Sequence, residues 1–126
     1  MSKTTIYSPN APEPIGPYSQ AIRKDNMLFV SGQIAIQSSS GNLVSGSIEE
    51  ETTQVMQNLH EILKAAGMDF PHVVKCTIFL KDMNDFPRVN KIYGNCFKEA
   101  PPARETVEVS RLPKDVSVEI SCIAIT

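Results

Sequence analysis

The chain has no tryptophan, no cluster of basic residues and only three cysteines, Cys76, Cys96 and Cys122. Each scarcity excludes something. The cysteines are odd in number, widely spaced and without a CxxC pair, so neither a disulfide framework nor a zinc site is expected. Cys76 and Cys122 fall on apolar strand faces, where a thiol behaves as a small hydrophobe. A net charge of −2 without clustered Lys or Arg, and 6% aromatics, argue against nucleic-acid binding, which needs a cationic track or stacking platforms. No stretch approaches the ~20 apolar residues of a membrane span, and Met1–Thr5 lacks the apolar run of a signal peptide. A cytoplasmic protein without membrane contact is the expectation. His60 and His72 have no partner at ligand spacing, so no metal is expected. GxGxxG, P-loop and GxSxG sequences are missing, which removes support for nucleotide and serine-hydrolase readings.

What remains is an ordinary globular composition, 41% hydrophobic and 21% charged over 126 residues, enough for one domain spanning 1–126. Thr4 to Tyr7 suits a short strand. Four prolines between Pro9 and Pro17 then enforce a stiff loop that delivers Tyr18. Tyr18–Lys24 and Met27–Ile34 read as a hairpin about Asp25–Asn26, which places Gln20 near Ser31. Ser31–Gly32 interrupts an apolar strand, the mark of a bulge, a bend or a close backbone approach. Ser47 and Glu50 form a capping box for a helix whose apolar stripe runs through Val55, Leu59 and Ile62 to a stop at Gly67. Val73–Lys81 reads as a strand with Val74, Cys76, Ile78 and Leu80 on one face. A second helix begins near Asn84 and buries Phe86, Val89, Tyr93 and Phe97, with the amide of Asn90 beside that stripe.

The last third carries the chemistry. Ala103–Val109 and Val116–Ile125 alternate with period two, and the turn-rich link Ser110–Asp115 suggests an antiparallel hairpin. Matching apolar faces in that hairpin would set Arg104 and Thr106 on the same polar face as Glu119, one strand over. A guanidinium can hold a carboxylate through two parallel hydrogen bonds, and a half-buried carboxylate suits proton transfer with water. The element order gives an α+β fold, a single mixed sheet of about six strands with two helices on one face. Phe79, Ile123 and Ile125 then stay uncovered on the other face, which predicts a homo-oligomer.

Several segments together resemble the RidA family of YjgF-type proteins over nearly the whole chain. They are Gly16–Ala21, Phe29–Ile34, Lys81–Phe86 with Val89–Asn90, Pro102–Arg104, and Arg111–Pro113 with Val118–Ile120. The resemblance implies a chorismate-mutase-like fold, a homotrimer with clefts between subunits, and no cofactor. It also implies hydrolysis of 2-iminobutanoate, 2-iminopropanoate and related enamines, released by pyridoxal-phosphate enzymes, to 2-keto acids and ammonia. Carried over by position, Arg104 would clamp the substrate carboxylate and Glu119 would activate water, while Tyr18, Ser31, Gly32, Asn90 and Thr106 would line the pocket. Thr106 stands where deaminating members often have cysteine. Glu105 replaces a small residue, and strand alternation aims it away from Arg104. Within this family a non-catalytic metabolite-binding regulator, and an endoribonuclease or translation inhibitor, are the other readings.

Overall fold

A computed structural model describes residues 2–126. Where local signals are strong, the backbone follows them. The first helix, α1 (Ile48–Ala65), starts at Ser47, whose hydroxyl accepts from the Glu50 amide at 3.1 Å. It ends at Gly67, which takes φ 72° and lets the amides of Gly67 and Met68 close onto the carbonyls of Lys64 and Leu63. Strands β2 (Ala21–Lys24) and β3 (Met27–Gln33) pair about the Asp25–Asn26 turn, with Asp25 left-handed. Strand β1 (Thr4–Ile6) pairs outside β2.

Strand β4 (Val73–Leu80) follows α1, helix α2 (Phe86–Gly94) follows β4, and strands β5 (Ala103–Glu108) and β6 (Val118–Ile125) end the chain. The six strands form one mixed sheet in the order β1-β2-β3-β6-β4-β5. The last strand is therefore inserted in the middle, antiparallel to β3 and to β4. Strand β5 lies at the edge and pairs in parallel with β4 alone. The expected hairpin between the last two strands does not form. The βαβ unit β4–α2–β5 claims the edge, and the Ser110–Val116 segment carries the chain back across β4.

Both helices cover one face. Beneath them lie Cys76, Ile78 and Leu80 of β4 and Val118, Ile120, Cys122 and Ala124 of β6, all buried. Val74 was expected among them but is 43% exposed, while Val73 is buried. A register irregularity between Val73 and Lys75 shifts the alternation by one and exchanges the two valines. On the other face Phe29 and Val107 are 41% and 43% exposed, and Phe79, Ile123 and Ile125 are half-buried. No helix among the described residues is long and apolar enough to cross a membrane.

The proline-rich loop is fixed by one side chain. Gln20, 2% exposed, accepts from the Ser8 amide at 2.6 Å and donates to the carbonyls of Ser8 and Pro12, each at 3.0 Å. Proline supplies no amide, so a side-chain amide takes the role that a neighbouring strand would play. Gln20→Ala strands several buried polar groups and is expected to lower stability by about 2–3 kcal/mol. A urea unfolding midpoint left unchanged would contradict this role.

Candidate functional site: two half-sites on opposite faces

Period-two alternation together with the observed pairing fixes where each candidate points. Arg104 is level with Cys76, and Cys76 with Cys122, so Arg104 belongs to the row on the helix-covered face. Glu119 is level with Phe79, and Phe79 with Val107, in the row on the open face. Cys122 and Glu119 are three residues apart on one strand, an odd separation, so their rows project oppositely. The expected shared face of Arg104 and Glu119 is thus overturned, because it depended on a hairpin that does not exist. Their Cα atoms are two strands and three residues apart, roughly 14 Å. Within one chain they cannot act on the same small molecule.

Each belongs to a recess of its own. The open-face cleft, about 450 Å³, brings together Tyr18, Ser31, Gly32 and Glu119. It exists because β3 carries a bulge: Val30 and Gln33 lie opposite Cys122 and Ile120, leaving Ser31 and Gly32 together against Ser121. The Ser31 amide donates to the Gln20 carbonyl at 2.9 Å and its hydroxyl to the Ser19 carbonyl at 2.6 Å, which stitches the bulge to the proline-loop end. Gly32 has a steric reason. A Cβ there would come within 2.8 Å of a Glu119 carboxylate oxygen. Burial pushes the Glu119 carboxyl above its ordinary pKa. The exposed Tyr18 ring is held by its hydroxyl, which accepts from the Ile15 amide at 3.3 Å.

The second recess, about 410 Å³, lies at the sheet edge between α2 and the Pro101–Pro102 corner. Arg104 donates from Nη1 to Asn90 Oδ1 at 2.6 Å, and its guanidinium lies 5.3 Å from the Phe86 ring centre and 5.0 Å from that of Tyr93. These contacts spread the cation flat between α2 and β5 while leaving donors for an anion. Asn90 is the tie that holds it. Thr106, two residues along the same face, has a buried hydroxyl with no hydrogen-bond partner among the described residues. Glu105 points the other way, as alternation required, and pairs with Lys75 at 3.2 Å rather than with Arg104.

Three residues that build the cleft were not singled out from the sequence. Asn58 of α1, buried, donates to the carbonyls of Ile34 and Ile36 at 3.1 and 3.0 Å and fixes the cleft wall. Its signal was available, an amide among Val55, Leu59 and Ile62 on the apolar stripe. Ile15 and Lys114 also line the cleft. Lys114 reaches it from a turn in which both Lys114 and Asp115 take φ 56°, a conformation no local motif announces.

Comparison with known proteins agrees with this architecture. The family model described as endoribonuclease L-PSP matches residues 8–126. A RutC family protein of Pyrococcus horikoshii is 53% identical, covering 97% of each chain. The human 2-iminobutanoate/2-iminopropanoate deaminase is 50% identical over 99% of this chain and 91% of its own. A solved Rid-family protein of Yersinia pestis superposes with a TM-score of 0.97 at 47% identity, over 99% of this chain and all of that one (100%). Matched at this level from its proline-rich loop to its central last strand, the chain belongs to the YjgF/RidA family.

Proposed function

We propose that the protein is a 2-imino acid deaminase whose reaction centre forms between two copies of the chain. The observation that carries this reading is the separation of the cation and the carboxylate onto opposite faces. One protomer supplies the Arg104 recess and its neighbour supplies the Glu119 cleft. The exposed apolar sheet face, with Phe29, Phe79 and Val107, is the surface that oligomer would bury. The family resemblance supports a trimer as that oligomer. The 50% identity with the human deaminase over 99% of this chain supports the same chemistry.

Arg104 grips the substrate carboxylate, freed of translational search by the flat guanidinium held on Asn90 and the two rings. Glu119 of the neighbour takes a proton from water as the water oxygen bonds to C2 of the iminium. The resulting carbinolamine collapses to the keto acid. Glu119 returns its proton to the amine, the C–N bond breaks as the hydroxyl oxygen becomes the carbonyl, and the hydroxyl proton leaves with ammonia as ammonium, which leaves Glu119 ionised again. Gly32 lets the carboxylate lie against the backbone, and Tyr18, Ser31 and Thr106 complete the walls. No cofactor is needed for this hydrolysis.

A dehydratase that releases the imine, coupled to detection of keto acid, tests the proposal. Arg104→Ala removes up to two charge-assisted hydrogen bonds of about 1.5–3 kcal/mol each and is expected to lower kcat/KM by roughly 10²–10⁴-fold. Wild-type protein that binds the imine without accelerating its hydrolysis would make it a metabolite-binding regulator. Cleavage of RNA by the wild type and not by Arg104→Ala would favour the nuclease reading instead.

A further inference from the structure

Helix α2 presents Phe86, Asn90 and Tyr93 at positions i, i+4 and i+7, so all three meet the Arg104 guanidinium from one face. Tyr93 is 4% exposed. Its buried hydroxyl has no hydrogen-bond partner among the described residues, only a weak interaction with the Cys76 thiol. No strong polar tie therefore fixes the plane of that ring, and packing does so instead. The Phe97 ring lies 4.8 Å from it, tilted by 46°. Phe70 meets Phe97 edge-on at 5.3 Å, and His60 of α1 stacks on Phe70 at 5.2 Å. Polar contacts anchor the far end of the row. Asp69 Oδ1 accepts from the Phe70 amide at 2.7 Å and lies 3.2 Å from His60 Nε2, while His72 Nδ1 accepts from the Asp69 amide at 3.0 Å. Each of these contacts lies within one chain.

We propose that this row of rings, from Phe70 through Phe97 to Tyr93, positions Arg104 for its ligand, with Phe97 and Phe70 as positioning residues remote from the chemistry. The inference rests on the reading of Arg104 as the carboxylate clamp. An arginine side chain has wide rotamer freedom, and a guanidinium already laid flat loses less of it when an anion arrives. Tyr93 supplies the plane, Phe97 sets its tilt, and Phe70 stops Phe97 from yielding. Phe70 lies outside the set of residues lining the Arg104 recess, so its effect on a ligand there passes through the other rings. The carboxylate is gripped alike before and during reaction. Loosening the row therefore weakens binding and leaves the chemical step alone.

The test titrates 2-oxobutanoate, a stable keto acid with the same carboxylate, into the intact protein while NMR follows the Arg104 Nε–Hε resonance, assigned by its loss in Arg104→Ala. Phe97→Leu is expected to raise Kd by about 3–10-fold and Phe70→Leu by about 2–5-fold, and each moves the Arg104 resonance of the free protein. Either leucine variant suffices should the other fail to fold. Phe70→Tyr, which keeps the ring, retains the wild-type Kd. In all three the rate at saturating imine stays within about twofold of the wild type. Val55→Ala, a loss of buried packing on α1, lowers the melting temperature and leaves both Kd and resonance unchanged. If the leucine variants keep the wild-type Kd and resonance, the positioning proposal is overturned and the deaminase reading stands. If Val55→Ala raises Kd as much as they do, the effect is one of general stability and the proposal is likewise overturned. If Kd and resonance shift as expected while the wild type does not accelerate imine hydrolysis, the row positions the arginine of a binding protein and only the deaminase reading fails.

Discussion

Refolding Arg104→Ala chains together with Glu119→Ala chains is expected to restore activity that neither variant shows alone. In a head-to-tail assembly each reaction centre takes its guanidinium from one copy and its carboxylate from the next. A one-to-one mixture assembled at random pairs an intact Arg104 with an intact Glu119 at about one centre in four, so about a quarter of wild-type activity returns. The prediction separates two architectures cleanly. A reaction centre confined to one chain would gain nothing from mixing, since every chain would lack one group. The roughly 14 Å and the opposite projection within the sheet demand the divided arrangement if both groups act.

Glu119→Gln is expected to reduce the rate by about 10²–10⁴-fold while leaving substrate binding near that of the wild type. The amide keeps the shape beside Gly32 but cannot accept the water's proton. In the wild type the rate should fall on acidification, with a midpoint above the usual carboxylate range, because burial raises the Glu119 pKa. The same shift has a consequence for stability, of definite sign. A folded-state pKa above the unfolded one means that the folded protein binds this proton more tightly. Its stabilising effect is complete below the unfolded pKa and is lost as pH rises through the folded pKa. At neutral pH the ionised group therefore opposes folding, and Glu119→Gln should melt higher than the wild type. A variant that melts lower and retains its rate would remove Glu119 from both roles.

Much of the frame was legible because its signals are local. Ser47 and Gly67 bracket α1 through bonds to residues within five positions, and Asp25–Asn26 closes β2 on β3 directly. Cys76 and Cys122 are buried, as apolar alternation indicated. The relation of Arg104 to Glu119 was not legible. Period two fixes which residues of a strand share a face, but not which strands are neighbours. The matching of apolar faces that placed them together was sound for a hairpin and void once β4 lay between β5 and β6. The exchange of Val73 and Val74 has the same origin, since an irregular step in pairing is set by the partner strand. Tyr18, Ser31, Gly32 and Glu119 meet in one cleft through the β2–β3 hairpin and the bulge beside β6, while Asn90 and Thr106 of the expected pocket lie with Arg104 on the other face.

Placing the last strand at the centre of the sheet also sets the order in which a growing chain becomes useful. Until Val118–Ile125 has been made, β3 and β4 have no strand between them and the Glu119 cleft has no floor. Under the divided arrangement, even a finished chain is only a ligand-gripping corner and a separate acid-lined hollow. Catalysis would begin at encounter with a sister molecule, so synthesis alone would not switch it on.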